Sequence, residues 1–185
     1  LRNFRFTVSI VDTPPKRLAD RPRPEGSPEV HADLEHVRHA VRVSQLRPGD
    51  VMLVGSVSGR NRVPVELALA CRDAGVRVIG FTSFAYTQQV VSLHPSGLRL
   101  KDAVDIAIDI GAPYGDAAVM IEGYDMPLLP VSGVGAIMAG WMIFERVMRK
   151  MAARGAPASV FLSANREGGM AALAETHARC DAQGY

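Results

Sequence analysis

Two serines, a glycine and an asparagine follow an apolar run near residue 55, and together they could bind an anion. The run Val51–Val54 has the composition of a short buried strand, and the string GSVSGRN follows it directly. Hydroxyl and amide groups donate hydrogen bonds, and a glycine lets the backbone approach a ligand closely. A tight turn uses the same residue types, so spacing alone leaves both interpretations open. The candidate phosphate ligands are Ser56, Ser58, Gly59 and Asn61.

Acid–base chemistry has two candidates close to this string. Glu66 lies in the first turns of the helix predicted to follow, and His94 lies in the turn-rich string LHPSG. An isomerase that moves a proton between neighbouring carbons needs a base and a second polar group. An acidic residue near a helix start also complements the helix dipole, and a loop histidine can simply face solvent. Catalytic and structural roles therefore stay open for both residues.

Further polar groups follow the other predicted elements. Thr82 and Ser83 end an apolar string, where they could contact sugar hydroxyls or cap a turn. Ser132, within VSGVG, lies at the start of a long predicted helix, and it could cap that helix or face a second anion. Asp116 and Glu122 could support the geometry of the loop that carries them.

Metal and cofactor chemistry finds little support in the sequence. His36 and His39 share a helical face, but no acidic or cysteine partner completes a ligand set at suggestive spacing. We therefore predict a solvated helix face there, with no metal site and no cofactor. A serine hydrolase is also disfavoured, because the string G-x-S-x-G is absent.

Strand-like and helical patterns alternate along the chain and would position these groups. Strands are predicted over Val51–Val54, Val76–Ser83 and Val104–Ile110, and helices over Val63–Ala74 and Ser132–Arg154. Such alternation favours parallel pairing with right-handed crossovers. In open sheets of this class ligands bind beyond the carboxyl ends of the strands, where GSVSGRN would lie.

The helix predicted over Ser132–Arg154 is apolar nearly all round, which predicts burial on more than one side. It could lie between the sheet and a dimer partner, or it could be a central core helix in a monomer. Its glycines would permit close helix contact; they are Gly133, Gly135 and Gly140.

Three shorter segments have strand composition, at 4–11, 125–130 and 159–165. Five prolines fall between Asp12 and Pro28, and they predict an exposed, flexible connection. We expect a single domain over residues 1–185, with this connection at about 12–28.

Composition and charge limit the classes of function. The chain is 48% hydrophobic and 22% charged with a net charge of +2, which indicates a globular protein without general affinity for nucleic acid or membranes. The longest mostly apolar stretch, Val131–Phe144, is shorter than the ~20 residues that span a bilayer. Two distant cysteines do not make a disulfide framework. We therefore expect a cytoplasmic protein that binds neither nucleic acid nor membrane.

Several strings together resemble the SIS (sugar isomerase) domain family. SVSGRN looks like its S-x-S-G phosphosugar loop, and HPSGLRL, DIAIDIGAPYGDA and VFLSAN resemble one bacterial branch of the family, over roughly Arg47–Asn165. The resemblance implies a flavodoxin-like three-layer α/β/α sandwich with a mainly parallel sheet. It also implies a homodimer, with ligand sites near the subunit interface. The family's phosphate ligands carry over to Ser56, Ser58 and Gly59.

One departure from the family pattern limits what the resemblance implies. Family members usually carry an upstream Gly-x-Gly-His-Ser string that forms the other wall of the sugar site, and this chain contains none. We therefore expect the chain to begin partway through the domain. Phosphosugar binding is implied first. Turnover as an aldose–ketose isomerase, a non-catalytic sensor role and an amino-sugar phosphate etherase or deglycase-like activity stay open.

Overall fold

A computed structural model describes residues 32–158 and 162–182 as a mixed α/β structure. The predicted strand at 4–11, the proline-rich connection and residues 159–161 lie outside this part of the chain. The helices are α1 (Ala32–Val43), α2 (Arg62–Asp73), α3 (Phe84–Gln88), α4 (Leu100–Ala103), α5 (Ser132–Ala153) and α6 (Gly169–Ala182). The strands are β1 (Val51–Gly55), β2 (Arg77–Thr82), β3 (Ile106–Asp109), β4 (Ala117–Val119) and β5 (Leu128–Pro130).

The first three strands form a parallel sheet in the order β1-β2-β3. Val54 pairs with Gly80, and Phe81 pairs with Ile108. The parallel pairing confirms the predicted α/β class, and the strands predicted at 51–54, 76–83 and 104–110 are each found within about two residues of their expected limits. Of the segment 159–165, the described residues 162–165 form no strand. Because the strands are neighbours and parallel, the loops that follow them leave the same edge of the sheet.

The core lies where α2 and α4 cover this sheet. Val65, Ala68 and Cys71 recur at helical spacing on α2 and are fully buried. They belong to one cluster with Val78 of β2 and Leu100 of α4. Burial raises the pKa of the Cys71 thiol to about 11, so this side chain is a neutral core residue.

The segment 125–130, which has strand composition, does contain a strand, but this strand is not part of the parallel sheet. Leu128–Pro130 pairs antiparallel with Ala117–Val119 in a separate two-stranded sheet. The two strands are close in sequence, so residues 120–127 can return the chain directly, whereas a parallel pairing needs a long crossover.

The long helix α5 differs from the expectation of a buried helix. Of its 22 residues none is fully buried, and Trp141 and Met142 are 69% and 71% exposed. The interpretation as a central core helix is therefore wrong for this chain.

Within the described residues one compact unit ends at Gly140 and another begins at Trp141, and a single domain over 1–185 stays a prediction. Across residues 32–158 and 162–182, no helix combines the length and apolar character that crossing a membrane requires.

Candidate anion-binding site

The loop at 56–61, here called the anion loop, connects the end of β1 to the start of α2. The Ser56 N–H donates to the Phe81 carbonyl at 3.0 Å, which extends the β1–β2 ladder into the loop. The Gly59 N–H then donates to the Ser56 carbonyl at 3.1 Å and closes a tight turn. Ser56 and Ser58 are half-buried and Asn61 is exposed. The structure thus places all four predicted phosphate ligands on one short loop at the carboxyl edge of the sheet.

Two buried threonines form hydrogen bonds with the inner side of the anion loop. The Thr82 hydroxyl donates to the Val57 carbonyl at 3.1 Å, and the Thr87 hydroxyl donates to the Ser58 carbonyl at 2.9 Å. A trans peptide is planar, with its N–H opposite its carbonyl. The Ser58 N–H, which shares a peptide with the Val57 carbonyl, therefore points away from the threonines. Because the Val57 carbonyl is held toward the threonines, the Ser58 N–H faces the outer side of the loop, where it can donate to a ligand.

Gly59 is required by both conformation and space. Its φ of +64° lies in the left-handed region, which side chains other than glycine rarely adopt. A Cβ at this position would lie 2.9 Å from Thr82 Oγ1 and 3.1 Å from Thr87 Oγ1. The glycine therefore lets the loop rest directly on the threonines.

The start of α2 carries no side-chain cap of its own. Asn61 occupies the N-cap position in an extended conformation, but its side chain makes no capping hydrogen bond, and the first turn holds no acidic residue. Nearby, the Arg60 Nε is buried without a hydrogen-bond partner among the described residues. Among the described residues, no side chain caps this helix start and no acidic residue of the first turn offsets its partial positive charge. Such a helix end is suited to bind an external anion.

The predicted second anion position, Ser132, is arranged differently. The carboxylate of Asp116 accepts from the Ser132 N–H at 2.8 Å and from the Ser132 hydroxyl at 2.6 Å. It also accepts from the Val131 N–H at 3.2 Å. The protein therefore supplies its own anion at the start of α5, where a phosphate would meet a carboxylate. A ligand role for Ser132 stays a prediction.

Thr82 and Ser83, the predicted sugar contacts, are both fully buried. The Ser83 hydroxyl donates to the Ala112 carbonyl at 2.5 Å and accepts from the Tyr86 N–H at 3.0 Å, which caps α3. In this conformation both hydroxyls are engaged within the protein. Their contact with a sugar stays a prediction, and their present effect is to shape the loops at the ligand edge.

The structure brings the predicted acid–base pair together. His94 Nε2 lies 2.8 Å from Glu66 Oε2, and both side chains are almost fully buried. The Arg38 guanidinium, from α1, donates to the other oxygen of Glu66. Burial by itself raises the pKa of Glu66, but the hydrogen bonds and charges of Arg38 and His94 outweigh it and hold the pKa below its ordinary value. Glu66 is therefore a buried carboxylate, bonded on both oxygens. A catalytic role for either residue stays a prediction.

Sequence reasoning missed several residues of this corner of the molecule. Arg38 and Thr87 bond to Glu66 and Ser58, partners 28 and 29 positions away, and no sequence pattern indicates such long-range contacts. Ser92 and Ser96 did carry a signal, because serine side chains often form hydrogen bonds with nearby backbone groups. Ser92 accepts from the His94 N–H at 3.0 Å, and Ser96 Oγ lies 2.7 Å from His94 Nδ1.

Comparison with known proteins identifies relatives of this sequence. Residues 17–83 match the family model of the SIS domain. A UPF0309 protein of Listeria monocytogenes is 41% identical over 122 residues, which cover 66% of this chain and 49% of that protein. A UPF0309 protein of Streptomyces coelicolor is 39% identical over 126 residues, covering 68% of this chain and 50% of that protein. A third, of Caldanaerobacter subterraneus, is 37% identical over 126 residues, with coverages of 67% and 51%.

These matches agree with the geometry of the site. The segment that matches the SIS domain contains the whole anion loop and Glu66, and it ends at Ser83. The chain spans about half the length of the curated relatives it matches. On these matches, residues 17–83 belong to the SIS domain family, and over 122 to 126 residues the chain is related to the UPF0309 proteins.

Proposed function

We propose that this chain binds the phosphate group of a sugar phosphate on the anion loop. The observation that carries the proposal is the start of α2, which has neither a side-chain cap nor an acidic residue in its first turn. Two half-buried serines, Ser56 and Ser58, lie on the loop that leads into it. A helix start, hydroxyl donors and a glycine turn together make a site for a dianionic phosphate.

Each part of the loop would contribute differently to binding. The hydroxyls of Ser56 and Ser58 would donate hydrogen bonds to phosphate oxygens, and the Ser58 N–H would add a donor from the outer side of the loop. Arg60 would add positive charge beside the phosphate, because its guanidinium stays ionised at every physiological pH. The sugar would extend along the carboxyl edge of the sheet toward the loops that follow β2 and β3.

Calorimetric titration tests the proposal. Sugar phosphates, the corresponding free sugars and inorganic phosphate are titrated into the chain, and we expect the phosphorylated compounds to bind far more tightly than the free sugars. Ser56→Ala and Ser58→Ala should each weaken binding about tenfold, the order expected for losing a hydrogen bond to a charged group. Ser44→Ala, at the end of α1, is the matched control. Equal affinity of the double serine variant and the unaltered chain would refute the site.

Aldose–ketose isomerisation is the second candidate, and one observation favours it: Glu66 and His94 lie together beside the anion loop. Acid–base transfer would require a ligand to separate the pair, because their facing atoms are bonded to each other. We therefore rank binding without turnover first. Incubating bound sugar phosphates in deuterated water tests the ranking, since isomerisation exchanges a carbon-bound proton. No exchange and no product would leave the sensor role, and a cleaved bond would indicate the etherase or deglycase class.

We also propose that the chain forms a homodimer through the apolar side chains of α5. Ile137, Met138 and Trp141 are each more than 60% exposed, and contiguous apolar surface of this kind is typical of protein interfaces. Light scattering over a range of concentrations tests the assembly. Ile137→Asp should yield a monomer, whereas the exposed residue Gln88 on α3 gives a control in Gln88→Asp. A monomer at every concentration for the unaltered chain would refute the dimer.

A further inference from the structure

The hydrogen bonds around His94 define which of its ring nitrogens carries the proton. The Ser96 backbone N–H donates to His94 Nδ1 at 3.1 Å. Since a backbone N–H can only donate, Nδ1 must accept, and the proton of the neutral ring lies on Nε2. Nε2 therefore donates to Glu66 Oε2 across the 2.8 Å contact.

This arrangement leaves no atom of the pair facing a ligand. His94 uses Nδ1 for Ser96 and Nε2 for Glu66, while Glu66 uses one oxygen for His94 and the other for Arg38. The side chains of His94 and Glu66 are only 5% and 4% exposed. A general base must reach a substrate proton, and neither group does so in this conformation.

The backbone beside His94 is tied to the anion loop at two places. The Leu93 N–H donates to the Arg60 carbonyl at 2.9 Å, and the Leu100 N–H donates to the Gly59 carbonyl at 2.8 Å. The segment 93–100 thus lies against the anion loop at both of its ends. Between these two contacts, His94 fastens the segment to α2 through Glu66.

The position of Glu66 makes this connection rigid. It lies on α2, the helix whose start forms the candidate anion site, and it also bonds Arg38 of α1, which in turn bonds Glu35 at 2.8 Å. One carboxylate therefore joins α1, α2 and the segment 93–100. Buried polar groups that are fully bonded hold a single arrangement strongly, because each lost bond leaves an unpaired group in the interior.

We propose that His94 and Glu66 are positioning residues that hold the segment 93–100 against the anion loop and thereby set its affinity for phosphate. The pair keeps the carbonyls of Gly59 and Arg60 bonded from the side of this segment, while Thr87 holds the neighbouring Ser58 carbonyl. The statement about affinity rests on the proposed function. The statement about the segment is independent of any ligand.

The experiment compares His94→Leu, which removes the donor to Glu66, with His94→Gln, which keeps an N–H group within its reach. Amide hydrogen exchange at Leu93 and Leu100 reports the segment directly, and titration with inorganic phosphate and with sugar phosphates reports the loop. We expect His94→Leu to speed exchange at both amides and to weaken phosphate binding about tenfold. His94→Gln should restore both to near the values of the unaltered chain. His39→Leu, at an exposed position on α1, is the matched control.

The outcomes separate this inference from the proposed function. If the unaltered chain binds no phosphate ligand but exchange at Leu93 and Leu100 responds as expected, the function fails and the positioning of the segment stands. If phosphate binds and His94→Leu changes neither exchange nor affinity, the positioning role is overturned and the function stands. Should His94→Leu fail to fold, Ser96→Ala loosens the ring more mildly, and unchanged exchange in that variant would equally overturn the role.

Discussion

Two helices of this chain begin at or just after a serine–glycine string, and their starts differ in what caps them. At α5 the Asp116 carboxylate bonds the first backbone N–H groups and the Ser132 hydroxyl. At α2 the N-cap residue Asn61 makes no side-chain cap, and no acidic residue lies in the first turn. Similar residue types thus give one helix start that a carboxylate caps and one that has no side-chain cap among the described residues, which is the start that we propose binds an external anion.

The difference shows that a helix start can bind an external anion only where no carboxylate of the protein already accepts hydrogen bonds from its N–H groups. Serine hydroxyls and free helix N–H groups favour an anion wherever they occur. A nearby carboxylate that reaches them first converts the site into a cap. Glu66 could have played this part at α2, but it lies in the second turn and bonds Arg38 and His94 instead.

Replacing Gly59 with alanine should have the largest effect on stability and would break the anion loop. The new Cβ would lie 2.9 Å from Thr82 Oγ1, and the φ of +64° is unfavourable for alanine. We expect a loss of about 3 kcal/mol in the free energy of unfolding. Gly133→Ala at the start of α5 is the matched control, because no atom lies within 4 Å of its added Cβ. Denaturant unfolding of both variants checks the contrast, which equal losses would contradict.

The sequence predicted the framework of the site better than its interior. The strands and α2 followed from apolar runs and from helical spacing, because local patterns largely determine such elements. The serine–glycine string located the anion loop for the same reason. The contacts of Thr87, Arg38 and Asp116 join residues that are 15 to 29 positions apart, so only the fold reveals them. The apolar composition of α5 indicated a contact surface, but composition does not say what covers it.

Replacing Glu66 with glutamine should lower stability by about 2 kcal/mol at neutral pH. A neutral amide weakens the bonds to Arg38 and His94, and its N–H₂ group opposes a donor. Because the folded pKa of Glu66 is depressed, its carboxylate stabilises the fold above the ordinary glutamate pKa. That contribution is lost as the pH falls from about 4.3 through the folded pKa.

Unfolding curves between neutral and acidic pH test this expectation. The unaltered chain should lose stability as the pH falls through this range, and Glu66→Gln should show a flatter curve. Glu145→Gln on α5 is the control, because Glu145 bonds Arg149 on an exposed helix face. If the free energy of unfolding of Glu66→Gln fell with pH as steeply as that of the unaltered chain, Glu66 would not be the source of the pH dependence.

Replacing Asp116 with alanine should remove the carboxylate cap from the start of α5, so that this start resembles that of α2. The variant loses the acceptor for the Ser132 hydroxyl and for the Ser132 N–H, whereas the Val131 N–H keeps the backbone carbonyl of residue 116 as its acceptor. The φ of 69° at this position also disfavours alanine. We expect a loss of about 1 kcal/mol, the usual effect of removing a cap. Added sulfate should restore part of this stability in the variant. Asp125→Ala, in the exposed connection between β4 and β5, should show neither change.

Replacing Asn61 with aspartate should give the start of α2 a carboxylate cap like that of α5. Of the four substitutions it should have the smallest effect on stability. A carboxylate at the N-cap can accept from the first N–H groups of the helix and complements its dipole, so we expect a gain of about 0.5 kcal/mol. The same carboxylate would repel a phosphate on the anion loop, and affinity for sugar phosphates should fall about tenfold.

Asn165→Asp, at an exposed position outside the loop, controls for the added charge. Titration and thermal unfolding of the two variants separate the effects, because a cap raises stability and lowers affinity together. If Asn61→Asp bound sugar phosphates as tightly as Asn165→Asp, the start of α2 would not be where the phosphate lies, and the contrast between the two helix starts would concern capping alone.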